Sequence, residues 1–203
     1  VATYILGLYL AQIRGNKFED EILGYMEELG RIPDKMQQTL DWGESVRQVA
    51  TSMADEDSVI FLGRHVGYPV AMEGALKLKE IAYIHAEGFA AGELKHGPIA
   101  LIEEGTPVII IVPTPRRPEL HAKVISNIEQ VKARGATTLV VAEEGDTTVD
   151  RFADVVFRVP SAPTLMLPLL EVIPLQEFAC ALATAKGLDV DQPRNLAKSV
   201  TVE

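Results

Sequence analysis

This 203-residue chain has one cysteine, few aromatic residues (6%) and no long uninterrupted apolar run. A lone Cys180 excludes an internal disulfide and a thiolate zinc site. Its place in the apolar run Leu175 to Leu182 predicts a small buried hydrophobe. The four histidines, His65, His85, His96 and His121, lack HExxH spacing, so no metal site is expected. No apolar run approaches the ~18 residues that span a bilayer. The longest candidate, Pro163 to Leu175, is interrupted by Pro168, Glu171 and Pro174. No basic segment precedes Tyr4 to Leu10, so no secretory signal is read, and a soluble cytoplasmic protein is expected. The dinucleotide-binding spacing GxGxxG and the Walker A loop are also missing; Gly63-x-x-x-Gly67 has the wrong spacing. Positive charge is scarce. The net charge is −10 and the pI about 4.9, which argues against a nucleic-acid surface. An anionic substrate would need local positive charge set against that overall field.

Hydrophobic residues make up 47% of the chain and charged residues 24%, enough for a real core. The first residues read as helices: Ala2 to Ile13, then Phe18 to Leu29 closed by Gly30, then a third helix capped by Asp34 and running through Leu40. Val46 to Met53 follows. The chain opens at Val1 inside this helical pattern, which suggests a piece of something longer. Beyond residue 50, strands alternate with helices. Ser58 to Leu62, Pro107 to Val112, Thr137 to Val141 and Asp154 to Val159 read as strands. Pro69 to Ile84, Leu120 to Ala133 and Leu165 to Ala185 read as helices. Continuous apolar strands between helices imply an α/β fold of three αβα layers: a doubly wound parallel sheet with flavodoxin-like order. Ligands in such sheets bind beyond the carboxyl ends of the strands, which points to Gly63–Pro69 and Pro113–Pro118.

Three segments offer chemistry. Glu73, Lys77 and Glu80 share one helix face at i, i+4, i+7, while Ala71, Ala75, Leu78 and Ala82 face the sheet. This is either a solvated ion-pair face or a carboxylate whose proton affinity is set by an adjacent ammonium. The loop Ala91 to Pro98 holds His96, either a surface histidine or a proton-transfer group. The tail Asp189 to Glu203 is either a frayed terminus or a segment that folds over a site and delivers Lys198.

Two long motifs, GYPVAMEGALKLKEIAYIHAEGFAAGELKHGPIALI at 67–102 and DVDQPRNLAKSVTVE at 189–203, resemble the glucosamine-6-phosphate synthases. The resemblance runs from about residue 40 to the end. It implies a C-terminal sugar-isomerase (SIS) domain at 39–203. Residues 1–38 would then be the end of a preceding SIS domain plus a linker. By this resemblance the whole enzyme turns fructose 6-phosphate and glutamine into glucosamine 6-phosphate, without metal or cofactor, as a homodimer. It would also carry an N-terminal glutaminase domain and a first SIS domain. Glu80 would move the proton between C1 and C2 of the sugar, with Lys77 beside it and Glu73 supporting that helix face. His96 would open the sugar ring in the neighbouring subunit's site. Lys198 would meet the substrate carbonyl, and Ala197 would help line the ammonia path. The Ser/Thr-rich phosphate loop of the first SIS domain has no counterpart here. Thr114 is the single hydroxyl at the equivalent strand ends, and Arg116 and Arg117 read as surface charges rather than a phosphate clamp. A non-catalytic module for sugar-phosphate binding or dimerisation is the second reading; it would not need Glu80 and Lys198.

Overall fold

The computed structural model describes residues 1–195. Ala197 and Lys198 lie outside the described residues. Three helices lead the chain: α1 (Ala2–Ile13), α2 (Glu19–Asp41) and α3 (Glu44–Ser52). Then come β1 (Ser58–Gly63), α4 (Gly67–Lys77), β2 (His85–Ala90), β3 (Pro107–Ile111), α5 (Pro118–Lys132), β4 (Thr137–Glu143), β5 (Val155–Val159) and α6 (Leu167–Ala185). The strands form one parallel sheet in the order β2-β1-β3-β4-β5, the expected doubly wound arrangement.

Alternation along the strands sends side chains into two cores. Val59, Phe61, Ile109, Ile111, Leu139 and Phe157 pack with α3, α4 and α6 on one face. Ile60, Leu62, Val108, Ile110 and Val140 pack with α5 on the other. All five residues of β3 are buried, and each such apolar side chain contributes about 1.5–3 kcal/mol. This double burial is why the central strands read as continuous apolar runs.

Four expectations need correction. First, Gly30 does not end a helix and Asp34 caps none: both lie inside the single helix α2, as does Pro33. Tyr25, Leu29, Ile32 and Met36 pack into the core, and that stripe outweighs the one backbone hydrogen bond lost at Pro33. Second, β2 has no apolar run to announce it. It is an edge strand, and in HAEGFA Ala86 is the one fully buried residue. Third, the segment after it is not all loop, since Leu94–His96 and Pro98–Leu101 form short 3₁₀ turns. Fourth, Cys180 is exposed, on the side of α6 turned away from the core.

The prolines do not interrupt α6 either. Pro168 sits in its first turn and Pro174 is accommodated inside it. By length and composition α6 is apolar enough to cross a bilayer. Here Leu170, Leu175, Phe178 and Leu182 are buried in the core instead.

The β1–α4 turn depends on Gly63. A Cβ there would lie 2.1 Å from the carbonyl oxygen of Gly67, a backbone atom that cannot rotate away. Gly63→Ala is expected to destabilise the fold by about 2–4 kcal/mol, measured by urea unfolding.

Candidate active site

Helix α4 starts at the carboxyl end of β1 and runs back along the sheet. It continues as a π-helical turn, Leu78–Ala82, which carries Glu80. The turn is ended by Tyr83, whose backbone is left-handed at φ 56°. Its inner side is fixed by burial: Ala71, Ala75, Leu78 and Ala82 are at most 1% exposed, as the spacing predicts. Its outer side is tied to β2, because Lys79 Nζ donates to the Ala86 carbonyl at 2.9 Å. A π-turn adds a residue per turn and so re-aims the side chains that follow it.

The three charged residues meet as their spacing implied. Lys77 Nζ lies 2.5 Å from Glu80 Oε2 and 3.5 Å from Glu73 Oε1. Lys77 and Glu80 are each about three-quarters covered. The hydrogen bond to Glu80, reinforced by both negative charges and partly opposed by burial, raises the Lys77 pKa above its ordinary value. Lys77 is therefore an ammonium throughout the neutral range. It can hold a carboxylate and stabilise developing negative charge, but it is not a base.

Glu80 opens on a cavity of about 590 Å³, lined by Lys79, Glu80, Tyr83, Ile84, His85, Arg194 and Asn195. The tail folds back to form one wall. After Gly187, Leu188 and Val190 pack against the core. Asp189 Oδ1 accepts the amide hydrogens of Asp191 and Gln192, which turns the chain. The Arg194 amide then donates to the Tyr83 hydroxyl at 2.7 Å. Through Asn195, the tail is a folded segment over Glu80. Tyr83, Arg194 and Asn195 carried no signal in the motif spacing, because this contact joins residues 111 positions apart.

The position of this cavity corrects another expectation. Glu80 sits beside Ile84 and His85, at the amino edge of the sheet, not at the carboxyl ends of β1 and β3. His96 follows β2 and lies at the opposite edge. Five steps along β2 at about 3.3 Å each separate the two edges by roughly 17 Å. Within one chain, then, His96 and Glu80 do not share a site. The His96 ring is 73% exposed and its Nδ1 lies 2.7 Å from Glu93 Oε2. Such a side chain is free to face another molecule.

At the carboxyl edge, Arg116 is half exposed but ion-paired. Its guanidinium pairs with both oxygens of buried Glu143, at 2.7 and 3.0 Å, and also donates to Ser161 Oγ and the Ala162 carbonyl. The Thr114 hydroxyl donates to the same carboxylate at 3.1 Å. Thr114, fully buried and bonded to Glu143, is not left to hold a phosphate.

Comparison with known proteins agrees with this fold. The SIS domain family model matches residues 52–186. The chain belongs to the SIS domain family. That span takes in every strand of the SIS sheet, α4 with its π-turn, and α6. The chain is 67% identical, over 203 residues, to the glutamine–fructose-6-phosphate aminotransferase (isomerizing) of Corynebacterium efficiens, covering all of this chain and 33% of that protein. It is 58% identical to the protein of that name from Mycobacterium tuberculosis, covering 32% of it. The chain thus spans about a third of the length of these curated relatives. The solved C-terminal domain of glucosamine-fructose-6-phosphate aminotransferase from Francisella tularensis superposes with a TM-score of 0.83 at 36% identity. That match covers 91% of this chain and 51% of that one. A glucosamine-6-phosphate deaminase from Thermotoga maritima shares the SIS fold, with a TM-score of 0.63 at 23% identity over 96% of this chain and 53% of that one.

Proposed function

We propose that this SIS domain is the C-terminal isomerase domain of an enzyme that makes glucosamine 6-phosphate and glutamate from fructose 6-phosphate and glutamine. The Lys77–Glu80 pair, of which Glu80 lines the cavity, carries the reading. Ketose–aldose conversion removes a proton from C1 and returns one to C2. A single carboxylate beside both carbons can do each step in turn. Glu80 is that group. The Lys77 ammonium stabilises the charge that develops between the steps, and Glu73 holds Lys77 from its other side. By the family resemblance, Lys198 meets the sugar carbonyl and Ala197 helps line the ammonia path.

His96 serves the neighbouring subunit's site, where it opens the sugar ring. Its exposure, and its place at the far edge from Glu80, support this assignment. The isomerase domain is 39–203 together with α2: the expected boundary at residues 38 and 39 falls inside that helix, whose Ile32 is buried in the same core, and the residues ahead of α2 belong with a preceding domain. The rest of a cytoplasmic, homodimeric enzyme supplies a glutaminase and a first SIS domain, which holds the phosphate. The pairing of Arg116 with Glu143 and the burial of Thr114 support placing the phosphate site there. They also count against a separate sugar-phosphate-binding module in this chain.

Subunit mixing tests the arrangement. Full-length enzyme carrying Glu80→Gln and full-length enzyme carrying His96→Ala should each be inactive. After random reassociation of dimers, about a quarter of wild-type isomerisation should return, because half the dimers are mixed and each has one intact site. If no activity returns although mixed dimers have formed, His96 does not act across the interface.

A further inference from the structure

Tyr83 is an unusual residue for its position. Among the described residues, three non-glycine residues have a left-handed backbone: His65, Tyr83 and Asn195. Two of these line the Glu80 cavity. Glycine adopts that conformation without a steric penalty, whereas a bulky aromatic resists it. Core packing does not explain the aromatic either, because Tyr83 is only partly buried. What the side chain does is hold one residue twice. Its hydroxyl accepts the Arg194 amide hydrogen at 2.7 Å, and its ring lies 4.1 Å from the Arg194 guanidinium carbon. A hydrogen bond and a cation–π contact thus converge on a single point of the tail.

We infer that Tyr83 is a positioning residue that fastens the tail segment Asp189–Asn195 over the Glu80 cavity; this rests on the isomerase reading above. The fastening point lies three residues beyond Glu80, on the turn that carries it. The acid–base group and the wall facing it are therefore referenced to the same backbone. A tail anchored to any other element would shift relative to Glu80 whenever the two elements shifted. Tyr83 removes that freedom, and its side chain need not touch the sugar to do so.

The test uses full-length enzyme with Tyr83→Gly and Tyr83→Phe. Glycine satisfies the left-handed backbone, so the fold survives while both contacts to Arg194 are lost. Phenylalanine keeps the ring and loses the hydroxyl contact. The first readout needs no activity: trypsin cleavage after Arg194, followed by mass spectrometry. Cleavage should be about tenfold faster in Tyr83→Gly and intermediate in Tyr83→Phe. The second readout is sugar isomerisation. The kcat should fall roughly tenfold in Tyr83→Gly, with KM for fructose 6-phosphate nearly unchanged and partial recovery in Tyr83→Phe. Unchanged cleavage in Tyr83→Gly overturns the anchor. Faster cleavage with unchanged kcat overturns the positioning role. In that case loss of isomerisation in Glu80→Gln leaves the isomerase reading standing, and its retention shows that the reading itself has failed.

Discussion

Glu80→Gln in the full-length enzyme lowers fructose 6-phosphate isomerisation by roughly 10³-fold and leaves glutamine hydrolysis intact. The substitution keeps the shape of the side chain and its place on the π-turn. The inner face of that turn, Leu78 and Ala82, is untouched, so the fold persists. Lys77 also keeps an acidic neighbour, Glu73 at 3.5 Å, and remains an ammonium. What the amide lacks is basicity: it cannot take a proton from C1. An assembly role for this chain predicts the opposite outcome, tolerance of the change. Two measurements decide it, exchange of the C1 proton with solvent and glutamate release. Wild-type proton exchange in the variant would remove Glu80 from the mechanism.

The second large effect concerns stability. Glu171, on α6, is 2% exposed, and its Oε2 has no hydrogen-bond partner. Burial first, then the nearby negative charge of Glu143, push its pKa up to about 8. Glu143 itself is held by Arg116 and the Thr114 hydroxyl. Glu171 is therefore a neutral acid in the folded state at pH 7 and an ionised one in the unfolded chain. The native state binds the extra proton. Stability is fully present below about pH 4.5, falls as pH rises, and has lost this contribution above pH 8. A displacement of that size is worth on the order of 4–5 kcal/mol as an upper bound. Urea unfolding between pH 5 and pH 9 should show this decline, and Glu171→Gln should flatten it and stabilise the domain at pH 9. Parallel pH profiles for the two proteins would show that Glu171 is not the group responsible.

The sheet was largely legible in the residue pattern. Residues in β1, β3 and β4 are buried on both faces, so each strand appears as an apolar run, and β5, the other edge strand, was legible from its three valines although only Phe157 and Val159 are buried. The missed strand, β2, is at the edge, where one flank lacks a neighbour and polar residues are tolerated. The break placed at Gly30 failed because local propensity costs about 1 kcal/mol there. Core contacts made by Ile32 and Met36 exceed that. Cys180 misled for a related reason: an apolar run does not say which side of a nearly all-apolar helix faces inward.

For the candidate site, helical spacing alone brought Glu73, Lys77 and Glu80 together, because neighbours on one helix meet through local geometry. The sequence by itself determined the fold class, the family likeness and this charged triplet, since each rests on short-range periodicity or on an unbroken motif. Only the tertiary structure decided that Glu80 lies at the amino edge of the sheet, that His96 faces away from it, that Arg116 is paired with Glu143, and that the tail returns to Tyr83. Those facts depend on the direction in which α4 runs back along β1 and on contacts between residues far apart in the chain, and no local pattern encodes either.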